Sequence, residues 1–278
     1  MNLPTKVCLG AGAFLAMSGG LLAVTGAFLG GAVGPDLPFG GSSGSSVETE
    51  YVAAEEVLPF TNLEVDLSVG DVTVMAPGEY DLSFGGTRAQ EITYEVDGDT
   101  LRVTDSGAPE RYTSGDGAWV SIYLPDNVKL GTVRVSTAMG DVDIMDLAAG
   151  SLSVSSGLGD VYLSNVSAET AALNLSMGDL WAYTLDTADA LTVENELGDV
   201  WMDGNFQGDT SVTMSMGSLD LGISLGMSDY SLDLEAALGD LYLDGSRQYG
   251  AVHREDGENQ LTVDSAVGDV SIYFDYGY

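Results

Sequence analysis

Seven aspartates each stand directly behind a glycine that recurs in a similar setting: Asp71, Asp141, Asp160, Asp179, Asp199, Asp240 and Asp269. Carboxylates in such a row could bind cations or exchange protons. On stacked strands, neighbours would lie about 4.8 Å apart and repel by roughly 1 kcal/mol even in water. A cation ladder over Asp160, Asp179 and Asp199 would relieve that repulsion. Calcium, however, takes about six to eight oxygen ligands, and the glycine-rich calcium-binding nonapeptide is missing. Ligand count therefore favours a structural turn over a metal site, and no cofactor is expected.

Other chemistry has fewer starting points. Nucleophilic catalysis assisted by histidine would have to use His253, the single histidine, which sits in "VHREDGE" and reads as a solvated hairpin residue. Zinc sites need clustered Cys and His, and Cys8 is the single cysteine. Gly40, Ser42 and Gly44 match a G-x-S-x-G nucleophile elbow, but that motif needs a strand before it and a helix after it. A Ser/Gly-rich stretch supplies neither. Acidic pairs are too numerous for proximity alone to mean anything, so no catalytic residue is assigned. Asn165-Val166-Ser167 and Asn174-Leu175-Ser176 fit the glycosylation acceptor pattern, which matters only in a host that glycosylates surface proteins.

The aspartates belong to a repeat. The preceding glycines are Gly70, Gly140, Gly159, Gly178, Gly198, Gly239 and Gly268, with Gly217-Ser218 as an eighth unit lacking the acid; from Gly140 to Gly239 the intervals are 19, 19, 20, 19 and 22. Hydrophobes recur two and four residues after each glycine and five before it, as Val161, Leu163 and Val154 do around Gly159. That period of two indicates strands with one buried face. A further hydrophobe stands immediately before every glycine: Val69, Met139, Leu158, Met177, Leu197, Met216, Leu238 and Val267. It is expected to point inward, the chain bending at Gly-Asp, where Gly supplies the unusual backbone angle and Asp a polar turn.

Units of about 20 residues that cannot bury an apolar face alone stack into solenoids. The expected fold is all-β, a single-domain parallel β-helix-like solenoid over residues 61–278. Residues 76–131 are less regular and contain a hairpin signal, "ITYEVDGDTLRV", with Asp97-Gly98 at the turn. Such segments are suited to covering open sheet edges.

From Val7 to Gly34 the chain runs 28 residues without a charge, where about 20 suffice to cross a bilayer. Residues 1–34 are read as an uncleaved transmembrane anchor rather than a removed signal peptide, because the apolar run is long and the nearest small-x-small site, Ala32-Val33-Gly34, is followed by Pro35. With Lys6 before the segment and no basic residue after it until Arg88, the bulk of the chain should lie outside the cytoplasm. Residues 35–60 read as a flexible Gly/Ser/acidic linker.

Beyond residue 35 the chain carries 43 acidic and 7 basic side chains, a net charge of −36. Such a surface repels phosphate backbones, which excludes nucleic acid as a partner. The acidity suits solubility or a saline environment, where a Debye length of about 3 Å at 1 M screens self-repulsion.

Three residues after each repeat glycine the alternation forces a side chain outward, and consecutive units place Asp143, Tyr162, Trp181, Trp201, Asp220 and Tyr242 there. Tyr162, Trp181 and Trp201 should form an exposed aromatic column, either stacking for stability or binding a glycan or another envelope protein.

The phrase "WVSIYLPDNVKLGTVRVSTAMGDVDI", followed by serial Gly-Asp units, resembles the putative-adhesin family of bacterial and archaeal domains, also described as toastrack repeats. The resemblance covers residues 61–278 and departs from the family pattern in its acidity and at Gly217-Ser218. It implies a right-handed β-helix-like domain, commonly membrane-tethered, with relatives in envelope-stress gene systems and no catalytic residues to carry over. The expected function is a non-enzymatic, membrane-anchored surface protein for adhesion, envelope scaffolding or stress sensing. A polysaccharide-active enzyme on the same scaffold is the alternative.

Overall fold

The computed structural model describes residues 51–53, 57–105 and 117–277. The proposed anchor at residues 1–34 lies outside them, as does most of the proposed linker; no helix among the described residues is long and apolar enough to cross a membrane. Thr49–Tyr278 forms one compact unit. Within the stretch read as linker, Tyr51–Ala53 pairs with Asp81–Gly86, and Val57 and Phe60 are buried in the core.

The architecture is all-β, and its centre is a parallel stack. Val142–Ser156, Val161–Leu175 and Leu180–Leu197 run side by side, with Val161 opposite both Val142 and Leu180 and Leu173 opposite both Val154 and Val193. The repeat interval is thus the distance along the chain from one strand to its neighbour. Each long strand bends where Asp146, Asn165 or Thr184 takes a φ of 53–55°, so that its two halves lie in two faces. Side chains at alternate positions of both faces, such as Val161, Leu163, Ala171 and Leu173, meet in one continuous hydrophobic core.

At the opposite corner the repeat glycines turn the chain. Gly178 has a φ of 148°, and a Cβ there would lie 2.0 Å from the Gly159 carbonyl oxygen on the neighbouring rung. Both the backbone angle and the closeness of the next rung therefore exclude a side chain.

The corner corrects one expectation. On six of the eight units the hydrophobe before the glycine does not point inward: Leu158, Met177, Leu197, Met216, Val267 and Leu238 are exposed, from 37% at Val267 to 71% at Leu238, whereas Val69 is buried as expected and Met139 is partly buried. Alternation fails here because the turn begins before the glycine and reverses the last residue of the strand. The buried position is instead three before the glycine, and on four rungs it is polar: Thr137, Ser156, Asn195 and Ser265. Ser156 Oγ donates to the Gly159 carbonyl at 3.1 Å, and Asn195 Nδ2 reaches those of Gly178 and Gly198, each at 3.3 Å. With Thr137 Oγ1, which donates to the Gly70 carbonyl at 3.2 Å, these two side chains supply donors to corner carbonyls; the buried Ser265 hydroxyl has no hydrogen-bond partner among the described residues.

Stack order departs from chain order at both ends. The first repeat, Asn62–Leu67 and Asp71–Gly78, lies between the later pairs Thr100–Asp105/Ala118–Pro125 and Lys129–Thr137/Val142–Ser156. The last repeat, Asn259–Val267 and Val270–Tyr273, is inserted between Asp209–Met216/Leu219–Ile223 and Tyr230–Leu238/Leu241–Leu243. Antiparallel strands cover the outer rungs: Ile92–Asp97 and Asp81–Gly86 at one end, Val252–Arg254 and Ser246–Gln248 at the other.

Candidate functional site

The Gly-Asp corner builds a ladder of carboxylates with a defined job. Asp71 Oδ1 accepts the backbone N–H of Asp141 at 3.0 Å, Asp141 Oδ1 that of Asp160 at 2.8 Å, Asp160 Oδ1 that of Asp179 at 2.9 Å, and Asp179 Oδ1 that of Asp199 at 2.8 Å. Asp199 does the same for Ser218, and Asp269 for Asp240. One oxygen of six of the seven carboxylates thus ties a rung to its neighbour, Asp240 bonding Arg247 and Tyr242 instead, and the attraction offsets part of the like-charge repulsion expected from the sequence. Asp160, Asp179 and Asp199 do stand on successive rungs; among the described residues no group of three or more His, Cys, Asp or Glu is arranged to hold a metal ion.

Two acids near one end of the ladder have altered affinities for protons. Burial pushes the Asp71 carboxyl up, its bond from the Asp141 N–H pulls it back, and the Asp141 charge raises it again. Burial also raises Asp143, helped by the charges of Asp141 and Asp71.

Beside the carboxylates runs the apolar ridge formed by the outward hydrophobes. Successive rungs are clamped, with Gly159 N–H donating to the Met177 carbonyl at 3.0 Å and Gly178 N–H to that of Leu197 at 3.0 Å. The ridge separates two shallow grooves. One is lined by Asp141, Leu158, Asp160, Met177, Asp179 and Leu197; the other is polar, with Ser136, Ser155, Asn174, Glu194 and Glu196 on its wall. Sequence reading missed the ridge, although its signal was available: a large hydrophobe stands before every repeat glycine, where a corner would tolerate any residue.

The aromatic residues fall on an outer face, in line. Tyr162 is opposite Trp181, and Trp181 opposite Trp201. The two indoles are partly exposed and stacked, with ring centroids 5.4 Å apart and planes 5° from parallel. Tyr162 is partly exposed and packs against Tyr183 at 5.9 Å. Asp143 flanks the strip beside Tyr162 and Asp220 beside Trp201; partial burial raises the Asp220 carboxyl. Tyr242 does not follow Asp220, because the inserted last repeat puts Ser271 between them.

The remaining candidates separate. His253 is exposed on an edge strand, its ring nitrogens 3.6 Å from Asp233 and 3.2 Å from Glu255. Asn165 is exposed at the second corner, where its amide donates to Asp146 at 2.6 Å. Asn174 lies in the polar groove.

These features define a parallel stack of Gly-Asp rungs whose outer surface carries ordered ladders. The Toastrack DUF4097 family profile matches residues 60–274, and the chain belongs to that family. Solved structures with likeness include a putative adhesin from Bacteroides fragilis, 18% identical over 82% of this chain and 98% of that one, with a TM-score of 0.45. A putative adhesin from Parabacteroides distasonis is 12% identical over 81% and 95%, with a TM-score of 0.43. A putative lipid binding protein from the same species is 12% identical over 84% and 96%, with a TM-score of 0.39. No curated protein matches the chain significantly.

Proposed function

We propose that the chain is a non-enzymatic envelope surface protein, tethered through its apolar amino-terminal segment with the acidic unit outside the cytoplasm, that presents a rigid β-stack for binding. Adhesion, envelope scaffolding and stress sensing are all uses of such a surface. The observation that carries this reading is the Trp181–Trp201 stack, two near-parallel indoles on an outer face, held in register by the parallel ladder beneath them. Stacking alone is worth about 0.5–1.5 kcal/mol, but partly exposed Trp and Tyr in a row are also the residues favoured at binding surfaces. With Asp143 and Asp220 as flanking acceptors, the strip has the chemistry to take a sugar: apolar ring faces on the indoles, hydroxyls on the carboxylates.

Tryptophan fluorescence titrated with envelope oligosaccharides tests it. Saturable quenching is expected, lost in Trp181→Ala and Trp201→Ala with little change in melting temperature. No quenching by any glycan, together with a large fall in stability, would leave the stack a structural element alone. The enzyme reading rests on the raised Asp71 and Asp143 carboxyls, the pattern of an acid catalyst. Neither lines the two grooves described above. Release of new reducing ends from a polysaccharide, abolished by Asp143→Asn, would favour that reading instead.

A further inference from the structure

We propose that the apolar ridge and the carboxylate row beside it form a docking track for a basic amphipathic helix of a partner protein. Proteins rarely expose a contiguous apolar patch of several hundred Å² without a use for it. Here Leu158, Met177, Leu197, Met216, Val267 and Leu238 follow one another on adjacent rungs, all exposed. Leu and Met alternate over the first four, and the unbranched thioether of Met adapts to varied apolar partners.

Charge selects the occupant. The row parallel to the ridge offers the second oxygen of Asp141, Asp160, Asp179, Asp199 and Asp269, the first being held by the N–H of a neighbouring rung; the Met216 rung has Ser218 in place of an acid. Five of the described basic side chains are already paired with carboxylates: Arg88, Arg102, Lys129, Arg247 and Arg254. Neutralisation of the row must therefore come mainly from another molecule. A second copy of this chain, with its excess of 35 negative charges, would bring repulsion, and so would an anionic lipid surface. The row's own end displays the preferred chemistry: the Arg247 guanidinium bonds Asp240 beside Leu238, the most exposed residue of the ridge.

Spacing selects the helix. Six rungs at about 4.8 Å extend roughly 24 Å, the length of a helix of about 16 residues. A helical turn of about 5.4 Å drifts only about 3 Å from the rungs over that length. Side chains at i, i+3, i+4 and i+7 can then lie between successive ridge residues while Lys or Arg on the adjoining face meets the aspartates. A two-residue step of extended chain, about 6.8 Å, loses register within two rungs.

The probe is a synthetic 18-residue Leu/Lys amphipathic helix, titrated against the full chain in mild detergent at about 0.15 M salt. Its control is a permuted isomer of the same composition with no apolar face. The amphipathic peptide should bind at least tenfold more tightly than the isomer. Replacing Leu158, Met177 and Leu197 together by Ser should remove that advantage, and because all three are exposed the melting temperature should hold. Trp181→Ala should leave peptide binding unchanged, which keeps this track distinct from the aromatic strip. Equal binding of the two peptides, or an undiminished preference in the triple variant, would overturn the proposal in favour of unspecific charge attraction. Self-association or vesicle binding abolished by the triple variant but not competed by the peptide would overturn it in favour of a second copy or a lipid surface.

Discussion

Asp179→Asn separates the two forces in the carboxylate ladder. In the wild type, Asp179 stands between the charges of Asp160 and Asp199 while its Oδ1 accepts the Asp199 N–H at 2.8 Å. At a rung spacing near 4.8 Å each neighbour repels it by about 0.9 kcal/mol in water, so deleting the charge relieves about 1.7 kcal/mol. The amide oxygen can still accept the N–H, but a neutral bond is weaker than a charge-assisted one by about 1 kcal/mol. At about 0.01 M salt, where the Debye length is about 30 Å, the variant should be slightly more stable than the wild type, by up to about 1 kcal/mol. At 1 M, where that length is about 3 Å, the repulsion is already screened and the same variant should be less stable by about 1 kcal/mol.

The effect of one substitution thus changes sign with salt. Thermal unfolding across a salt series measures it, each kcal/mol moving the midpoint by about 2–4 °C in a unit of this size. Asp179→Ala is the control: it removes the acceptor, leaves the Asp199 N–H without a partner, and should cost about 1–3 kcal/mol at high salt. A salt-independent difference for Asp179→Asn would show that repulsion plays no part, and a costless Asp179→Ala would show that the ladder bonds do not hold the rungs.

Thr184 is a β-branched residue at a φ of 55°, a conformation costing such a residue about 1–2 kcal/mol; Thr184→Asn should raise the melting temperature by about 2–4 °C, and an unchanged or lower value would count against strain at that corner. Asp143 is harder to ionise in the folded chain than its ordinary value of 3.8, first through burial and then through Asp141 and Asp71, so its ionisation costs stability that is regained as pH falls through the raised value towards 3.8. Asp143→Asn should therefore be more stable than the wild type at neutral pH, with the advantage fading below about pH 4; an advantage that persists at pH 3 would point to packing rather than charge.

Much of the stack is legible in the chain because each rung repeats local rules. Val154, Val161 and Leu163 alternate as strand residues must, and Gly159 marks the corner that no side chain fits. Two features were not legible, for different physical reasons. Alternation assigns a face only while the backbone stays extended, so it put Leu158 and Met177 inside when the turn carries them out. Ser156 and Asn195 carry no sign of burial in their residue types, yet they are buried, because a tight corner leaves glycine carbonyls that need donors. For the aromatic strip the outcome was reversed: Trp181 and Trp201 lie within regular strand on rungs adjacent in both chain and space, so counting residues sufficed.

Spatial order escaped the sequence at both ends, and its consequence is mechanical as well as topological. Had rungs followed chain order, the repeats nearest the two ends of the unit would be its outermost layers, each with an unpaired edge. Instead Asn62–Gly78 and Asn259–Tyr273 are second from the ends, and the segments that precede or follow them in the chain supply the outer rungs and their antiparallel covers. Edge protection is thereby taken from hairpins such as Ile92–Asp105, whose turn signals are strong locally and need no repeat partner. The exchange requires contacts between distant residues, such as the Asp141 N–H on the Asp71 carboxylate, 70 positions apart. Such closures are slow to form, but once made they lock each of these two repeats between two others, so that neither can detach without breaking both neighbouring rungs. That rigidity keeps the ridge, the carboxylate row and the indole pair at fixed spacing, which any partner reading them by length requires.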